Sequence, residues 1–446
     1  MAELPPIIHP RSGHNDWLTS QELNALTPAL LAARVDAIQS FIAEHAGETE
    51  RLRRPVDAVM EALRKTGIFY HFVPKRYGGF EYGLVDLVNE VLPIGEACTS
   101  TAWVTSFCIQ HNFLAAQLPI VGQDEIFGAT PYTIAPGTGA PPAKVTPIEG
   151  GYRVSGLIKY ASSIMHADWV QVVGALVSDS DKPRMRFFML PANEVKVLDT
   201  WYVDGLAGTG SNDILLENIF IPEQRSVDFD DLLAGRGFGA REYVNPLYRV
   251  PVDILLNISS SAPGIGAARG IVKHFRDLVV RKAVPGPDGT PIPKLTWQMR
   301  LAEAELASHT AEMLLRQAAS DTEAAVANSQ VVSAESRIRT RSRIAYAVDL
   351  ARGAVRIISD GAGSSAHLLS SPIQRVMRDM NMLTSHRVYE KDSALELWGQ
   401  VLTDSASAGS VRHHSAQQVR PPQTDTAAAG TSGAIAEAAV ARQSPV

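Results

Sequence analysis

The sequence predicts an α+β chain in three parts: an N-terminal helical domain, a middle β domain of barrel-like character and a C-terminal four-helix bundle. Three observations carry this. Apolar residues recur at helical spacing in the first and last stretches of the chain, and they alternate over short runs between them. Gly, Pro, Asn and Asp gather where one run gives way to the next.

Over residues 15–125, Leu23, Leu26 and Leu30, then Leu31, Val35, Ile38 and Ile42, fall on helical faces, with breaks at Pro55 and between Pro74 and Gly79. Over residues 126–230, five short runs read as strands: Tyr152 to Ser155, Trp169 to Val177, Arg186 to Leu190, Val195 to Val203 and Ile214 to Ile221. From 245 to 402 helical patterns return, through Arg281, then Trp297 to Ala327, Val332 to Ser359 and Ile373 to Leu402. Long helices with one Pro- and Gly-rich loop, Val284 to Lys294, close most simply as a bundle. Residues 403–446 contain no Phe, Tyr or Trp and cannot bury enough apolar surface to offset chain entropy, so a disordered tail is expected.

At 446 residues and 45% hydrophobic, the chain can bury the cores of two or three domains. The net charge of -6 is spread without blocks, which argues against a nucleic-acid surface. No apolar run approaches the roughly 20 residues that cross a bilayer. The first residues carry Pro and His where a leader needs an apolar stretch, so a cytoplasmic protein is expected. Cys98 and Cys108 are too few for a disulfide framework or a zinc site, and read as buried structural thiols; no metal is expected. Two Gly-rich spots, at Gly264-Ile-Gly266 and Gly361-Ala-Gly363, lack the strand-to-helix context of a dinucleotide loop. The first reads as close helix packing, and reducing equivalents must reach this chain from elsewhere.

Four segments, in order, resemble the acyl-CoA dehydrogenase superfamily over about residues 15–402. They are Val73-Pro-Lys-Arg-Tyr-Gly-Gly-Phe80, Gly156-Leu-Ile-Lys-Tyr-Ala-Ser-Ser163 with Ala167-Asp168, Gly208-Thr-Gly-Ser-Asn-Asp213 with Ile219-Phe-Ile-Pro-Glu223, and Asp360-Gly-Ala-Gly-Ser-Ser-Ala366 with Pro372-Ile-Gln-Arg-Val-Met-Arg-Asp379. The resemblance implies an acyl-CoA-dehydrogenase-like fold and a flavin cofactor. Dehydrogenases of this superfamily need a carboxylate base, often in a Tyr-Glu-Gly-Thr stretch soon after the Arg-Asp pair. Here Tyr389-Glu390 comes three residues late and lacks the Gly-Thr. Other segments resemble the branch of two-component flavin monooxygenases that includes hydroxyphenylacetate and secosteroid hydroxylases: Ser100-Thr-Ala-Trp103 with His111, the loop Tyr132-Thr-Ile-Ala-Pro136, Trp201 to Asn212, Leu247-Tyr-Arg249 and His386.

That resemblance implies an oxygenase component taking reduced FAD or FMN (FADH2 or FMNH2) and O2, with a flavin C4a-hydroperoxide as oxidant and an aromatic substrate, phenolic, indolic or polycyclic. A separate NAD(P)H-dependent flavin reductase would be its partner, and the chain would form a homo-oligomer, a tetramer or at least a dimer. Ser162 would meet flavin N5 and, as a catalytic residue, hold the hydroperoxide against loss of hydrogen peroxide, with Trp103 and Tyr160 over the ring and Thr133 in the loop beside it. Arg281 would meet the flavin phosphate, and Gly361, Ala362 and Gly363 a neighbouring subunit's flavin. His111 would accept a proton from the substrate and His386 would hydrogen-bond the peroxide, both as catalytic residues, with Arg249 and Val388 completing the substrate pocket. An acyl-CoA dehydrogenase using Glu390, an N- or S-oxygenase and a catalytically silent scaffold are the alternatives.

Overall fold

Helix boundaries follow local capping chemistry. In a computed structural model that describes residues 5–8, 18–128, 130–139, 141–176, 183–288 and 290–406, Thr19 opens α1 (Ser20–Ala25) through a capping box with Glu22 and Thr27 caps α2 (Pro28–Ala37). Helices α3 (Gln39–Glu44), α4 (Ala46–Leu52) and α5 (Asp57–Thr66) follow, and α5 stops at Gly67, where φ is 94°. A single residue, Cys98, separates α6 (Leu84–Ala97) from α7 (Thr99–Ala115), and α8 (Ile120–Phe127) comes next. Nearly every side chain of α7 is buried, including Thr99, Ser100, Thr101, Thr105, Ser106, Gln110, His111 and Asn112. So polar a helix at the centre of a core needs its hydrogen bonds met by something. Cys98 and Cys108 are both buried free thiols.

The middle of the chain forms a sheet of strands β1 (Ile7–Ile8), β2 (Ala143–Ile148), β3 (Gly151–Ile158), β4 (Trp169–Leu176), β5 (Met185–Pro191), β6 (Lys196–Leu198), β7 (Asp213–Pro222) and β8 (Ser226–Asp228). Their order is β1-β6-β7-β3-β2-β4-β5-β8. Neighbours are antiparallel except β2 and β4. Val154, Ile158, Val172, Phe188 and Ile214 fill a core of their own on this sheet. Three strands were not anticipated: β1 and β8 are too short to show an alternation, and in β2 Pro147 and the exposed second half of the strand hide it. The run Val195 to Val203 pairs only over Lys196–Leu198, since the backbone N–H groups of Thr200 and Trp201 both turn to Asn212 Oδ1 at 3.0 Å.

After two short helices, α9 (Phe229–Leu233) and α10 (Phe238–Glu242), come α11 (Val252–Arg281), α12 (Leu295–Ala327) and α13 (Ala334–Gly361). The stretch read as one helix from Ile373 to Leu402 is two, α14 (Pro372–Thr384) and α15 (Lys391–Ala406). They are parted by a 3-10 turn at Arg387–Tyr389 that His386 caps with its own ring nitrogen. The predicted Pro- and Gly-rich loop holds a small hairpin, β9 (Val284–Pro285) with β10 (Pro291–Ile292). Residues 403–406, expected to belong to the disordered tail, continue α15 instead, while residues 15–17, Val177 and residues 407–446, with the disorder expected there, lie outside the described residues. Among the described residues no helix is long and apolar enough to cross a membrane.

The Gly264-Ile-Gly266 segment packs as expected. A Cβ on Gly266 would sit 2.4 Å from the Leu92 carbonyl oxygen and 2.9 Å from Gly95 Cα, so α6 and α11 meet backbone to backbone. Gly353, in α13, has nothing within 4 Å of the same position. Gly266→Ala is therefore expected to cost about 1–3 kcal/mol through overpacking. Gly353→Ala should add roughly 0.5–1 kcal/mol by restricting the unfolded chain. Urea unfolding of the two variants checks this, and equal shifts would contradict the backbone-contact account.

Candidate active site

Trp103, Phe107 and His111 lie four residues apart on α7 and so share one face. Their rings touch in series: Trp103 to Phe107 at 4.7 Å between centroids, Phe107 to His111 at 5.7 Å, and Trp103 to His386 at 6.0 Å in an edge-on arrangement. His386 in turn lies 5.9 Å from Tyr389. Tyr389 is tied down from α11: the Ser260 hydroxyl donates to the Leu256 carbonyl at 2.6 Å, so the Tyr389 hydroxyl donates to Ser260 Oγ, also at 2.6 Å. The break between α14 and α15 thus places His386 beside Trp103.

The indole N–H of Trp103 donates to Ser162 Oγ at 3.1 Å. Ser162 continues to Ser211 at 2.7 Å, and Ser211 to Thr209 at 2.6 Å. The Thr209 hydroxyl reaches the carbonyl of Leu206 at 2.8 Å. Leu206 holds a left-handed φ of 51°, and its N–H donates to Asp379 Oδ1 at 2.7 Å. Burial pushes the Asp379 carboxyl up to about 6. Arg378 Nη1 donates to the Asp204 carbonyl at 2.5 Å and also pairs with Glu50. The Arg378-Asp379 pair, which the resemblance assigned to a segment meeting a neighbour, here grips its own chain's loop.

Next to His111 on α7, Asn112 clamps the loop that carries Thr133. Its Oδ1 accepts the Thr133 N–H at 2.8 Å and its Nδ2 donates to the Thr133 carbonyl at 3.2 Å. Thr133 Oγ1 is fully buried with no hydrogen-bond partner, and His111 Nδ1 is in the same condition. A buried polar atom without a partner costs free energy, so both atoms are open to a hydrogen bond from a group that the protein itself does not supply.

The histidines differ in a telling way. His71, wholly buried, uses both ring nitrogens: Nδ1 meets Glu90 at 2.8 Å and Nε2 meets the Gly83 carbonyl at 2.9 Å. Burial opposes its charge, but Glu90 and the Gly83 carbonyl raise its pKa, which marks a structural ion pair. His111 has no such support, and burial lowers it to about 3, so it is neutral. His386 is exposed at its surface, yet the protein packed around its ring lowers its pKa too. Its Nδ1 accepts the Val388 N–H at 3.3 Å, which puts the hydrogen of the neutral ring on Nε2 and makes that atom a donor.

Other residues named from the sequence lie apart. Tyr160, two residues before Ser162 and at φ 64°, is 55% exposed and meets Trp201 edge-on at 6.0 Å. Arg249 is exposed, next to a buried Tyr248 whose hydroxyl donates to the Phe72 carbonyl at 3.1 Å. Val388 packs partly buried against the main core. Arg281 ends α11 about 30 Å along the helix from Ser260 at the ideal rise. Gly361, Ala362 and Gly363 end α13 about 18 Å beyond Asp349, which Lys391 pairs with at 2.6 Å just after the His386 turn. Arg281, Gly361, Ala362 and Gly363 are not among the hydrogen-bond or ring partners of Trp103, Ser162, Ser211, Thr209 and His386 described above. Sequence reasoning missed Thr209, Ser211 and Asn112. The first two stand in a quoted segment read for its glycines, and Asn112 adjoins His111.

Because the folded pKa of His111 lies below its unfolded value near 6.5, the unfolded chain takes up the proton first. Stability from this group is complete above about pH 6.5 and falls as pH drops toward 3. At about pH 5 the loss is on the order of 2 kcal/mol. Thermal unfolding of wild type between neutral and mildly acidic pH should therefore weaken more than that of His111→Gln, and parallel pH profiles would show that His111 protonates freely in the fold.

The geometry has known counterparts. The family model for the acyl-CoA dehydrogenase C-terminal domain matches residues 258–391. The chain is 34% identical over 379 residues to a pigment production hydroxylase from a Rhodococcus species, covering 85% of this chain and 97% of that protein. It is 30% identical to the oxygenase component of an FADH2-dependent resorcinol hydroxylase from a Rhizobium species, covering 83% and 93%. The solved structure of 3-HSA hydroxylase from Rhodococcus sp. RHA1 superposes with a TM-score of 0.80 at 28% identity, over 84% of this chain and 97% of that one. With the fold, the ordered segments and these relatives in agreement, the chain belongs to the flavin-dependent monooxygenase oxygenase components built on the acyl-CoA dehydrogenase fold.

Proposed function

We propose that this chain is the oxygenase component of a two-component system that takes reduced FAD or FMN from a separate NAD(P)H-dependent reductase and hydroxylates an aromatic substrate of phenolic, indolic or polycyclic type. The observation that carries the reading is the single run of contacts joining His111, Trp103, Ser162 and His386 in a chain of this family. The fit to a flavin rests on the unpartnered Thr133 Oγ1 and on the second lone pair of Ser162 Oγ, both beside α7. Bound reduced flavin supplies two electrons to O2, so that one oxygen atom enters the substrate and the other leaves as water.

The protein's own part is to orient, to exclude water and to hold protons. Ser162 would hold the flavin at N5, with Trp103 fixing the serine. Neutral His111 would accept a hydrogen bond from the substrate hydroxyl or N–H and take its proton as negative charge develops beside it, making the ring more nucleophilic. His386 would donate from Nε2 to the oxygen being transferred. Arg249 and Val388 would border the substrate. Arg281 would meet the flavin phosphate, and Gly361 to Gly363 would serve a flavin in a second copy. An exposed apolar row on α12, Leu295, Met299, Leu306 and Met313, gives such a homo-oligomer, a tetramer by preference, a surface to form on. A cytoplasmic setting, where the reductase finds NAD(P)H, completes the proposal.

Glu390, the base that a dehydrogenase would require, is exposed at the start of α15, outside the cluster. Mixing the protein with photoreduced FMN or FAD, isotopically labelled O2 and a panel of phenols, indoles and polycyclic aromatics should yield a product with one labelled oxygen. His111→Ala should lower the yield on the order of a hundredfold while reduced-flavin binding holds. The reading fails if no aromatic is oxidised and an acyl-CoA bleaches bound oxidised flavin without oxygen.

A further inference from the structure

A row of three hydroxyls has only one arrangement of hydrogens that satisfies all its contacts. Each hydroxyl owns one hydrogen. The Leu206 carbonyl can only accept, so Thr209 gives its hydrogen to that carbonyl. The contact of 2.6 Å between Thr209 and Ser211 must then use the hydrogen of Ser211, and the contact of 2.7 Å between Ser211 and Ser162 must use the hydrogen of Ser162. The Trp103 N–H fills one lone pair of Ser162 Oγ. What Ser162 has left is a lone pair and no hydrogen. Reversing the row would leave Thr209 Oγ1 2.8 Å from a carbonyl oxygen with no hydrogen between them. The row is sealed from water: Thr209 is 1% exposed, Ser211 2% and Ser162 8%, so solvent cannot scramble its direction.

We infer that Thr209 and Ser211 are positioning residues that lock Ser162 as a hydrogen-bond acceptor, so that the site selects flavin carrying a hydrogen on N5. The inference rests on the placement of Ser162 at flavin N5 proposed above. In the isoalloxazine ring, N5 of the oxidised form is a bare acceptor, whereas N5 of the reduced form bears a hydrogen and donates. Opposite an acceptor with no hydrogen to offer, the reduced form gains a hydrogen bond and the oxidised form faces lone pair against lone pair. Selection of this kind suits a protein that receives reduced flavin from a partner and must let the spent, oxidised form go. Leu206, whose carbonyl sets the direction, is itself held by Asp379 at 2.7 Å, so the row is seated from α14.

The test is binding, measured without turnover. Dissociation constants of oxidised and of anaerobically reduced FMN and FAD are determined for wild type, Ser162→Ala, Ser211→Ala, Thr209→Val and Thr209→Ser, with unfolding midpoints to verify that each variant folds. Wild type is expected to favour the reduced form, and Ser211→Ala and Thr209→Val to shrink that preference about tenfold, chiefly by tighter binding of the oxidised form, as the freed Ser162 hydroxyl turns to donate. Thr209→Ser, which keeps the hydroxyl, should match wild type. If Ser162→Ala alters the preference and Ser211→Ala does not, the directional row is overturned while the placement of Ser162 stands. If Ser162→Ala leaves the preference unchanged, Ser162 does not face N5, and both the placement and the inference fall.

Discussion

The hydrogen bond from the Leu206 N–H to Asp379 is the constraint on which the site depends. A leucine resists a left-handed φ, and the 51° observed persists because the carboxylate on α14 takes its N–H and the Thr209 hydroxyl, together with the Trp201 indole N–H, takes its carbonyl. Through this one residue the helical C-terminal part, the loop that ends at Asn212 and the central helix α7 are set in register. Gly205, just before it, lies so close to the α14 backbone that a Cβ would meet the Arg378 carbonyl oxygen at 2.2 Å, so the loop cannot slide without clash. A carboxyl whose pKa burial lifts to about 6 is a costly anchor. Its retention fits a loop whose exact seat matters.

Burial acts on the site in a second way, through histidine. The fold contains a histidine whose surroundings favour charge, His71 with Glu90, and others whose surroundings oppose it, His111 and His386. The difference lies in partners, since His71 and His111 are equally buried. A carboxylate and a carbonyl make one ring a fixed strut. The lack of either leaves the other rings neutral and able to exchange a hydrogen with whatever enters.

Much of this was legible from residue patterns, and the reasons are local. Period and punctuation placed the helical, β and helical regions. The quoted segments singled out Trp103, His111, Ser162 and His386 by resemblance, and the structure adds that Trp103 and His111 share one face of α7. What escaped depends on pairs far apart in the chain. The link between Ser162 and Ser211 crosses 49 residues, and that from Leu206 to Asp379 crosses 173, distances at which sequence spacing carries no information. The break between α14 and α15 escaped for a different reason: Ser385 to Glu390 contains neither Gly nor Pro, and the turn is stabilised by a histidine ring capping it, a role that periodicity does not register. The roles of Arg281 and of the Gly361 segment rest on resemblance, because what they would meet is a flavin phosphate and a neighbouring subunit's flavin rather than side chains of their own chain.

The turn that interrupts the last helices has an evolutionary consequence. Residues 386–389 sit between two helices that are anchored separately, α14 through Asp379 and the turn itself through Tyr389 on Ser260, so substitutions at Arg387 or Val388 can reshape what meets His386 without disturbing either anchor. The hydroxyl row belongs to a different stretch of chain altogether. Substitution at the turn leaves the row's own contacts intact, so a lineage can vary what surrounds His386 and keep the seat of Ser162 unchanged.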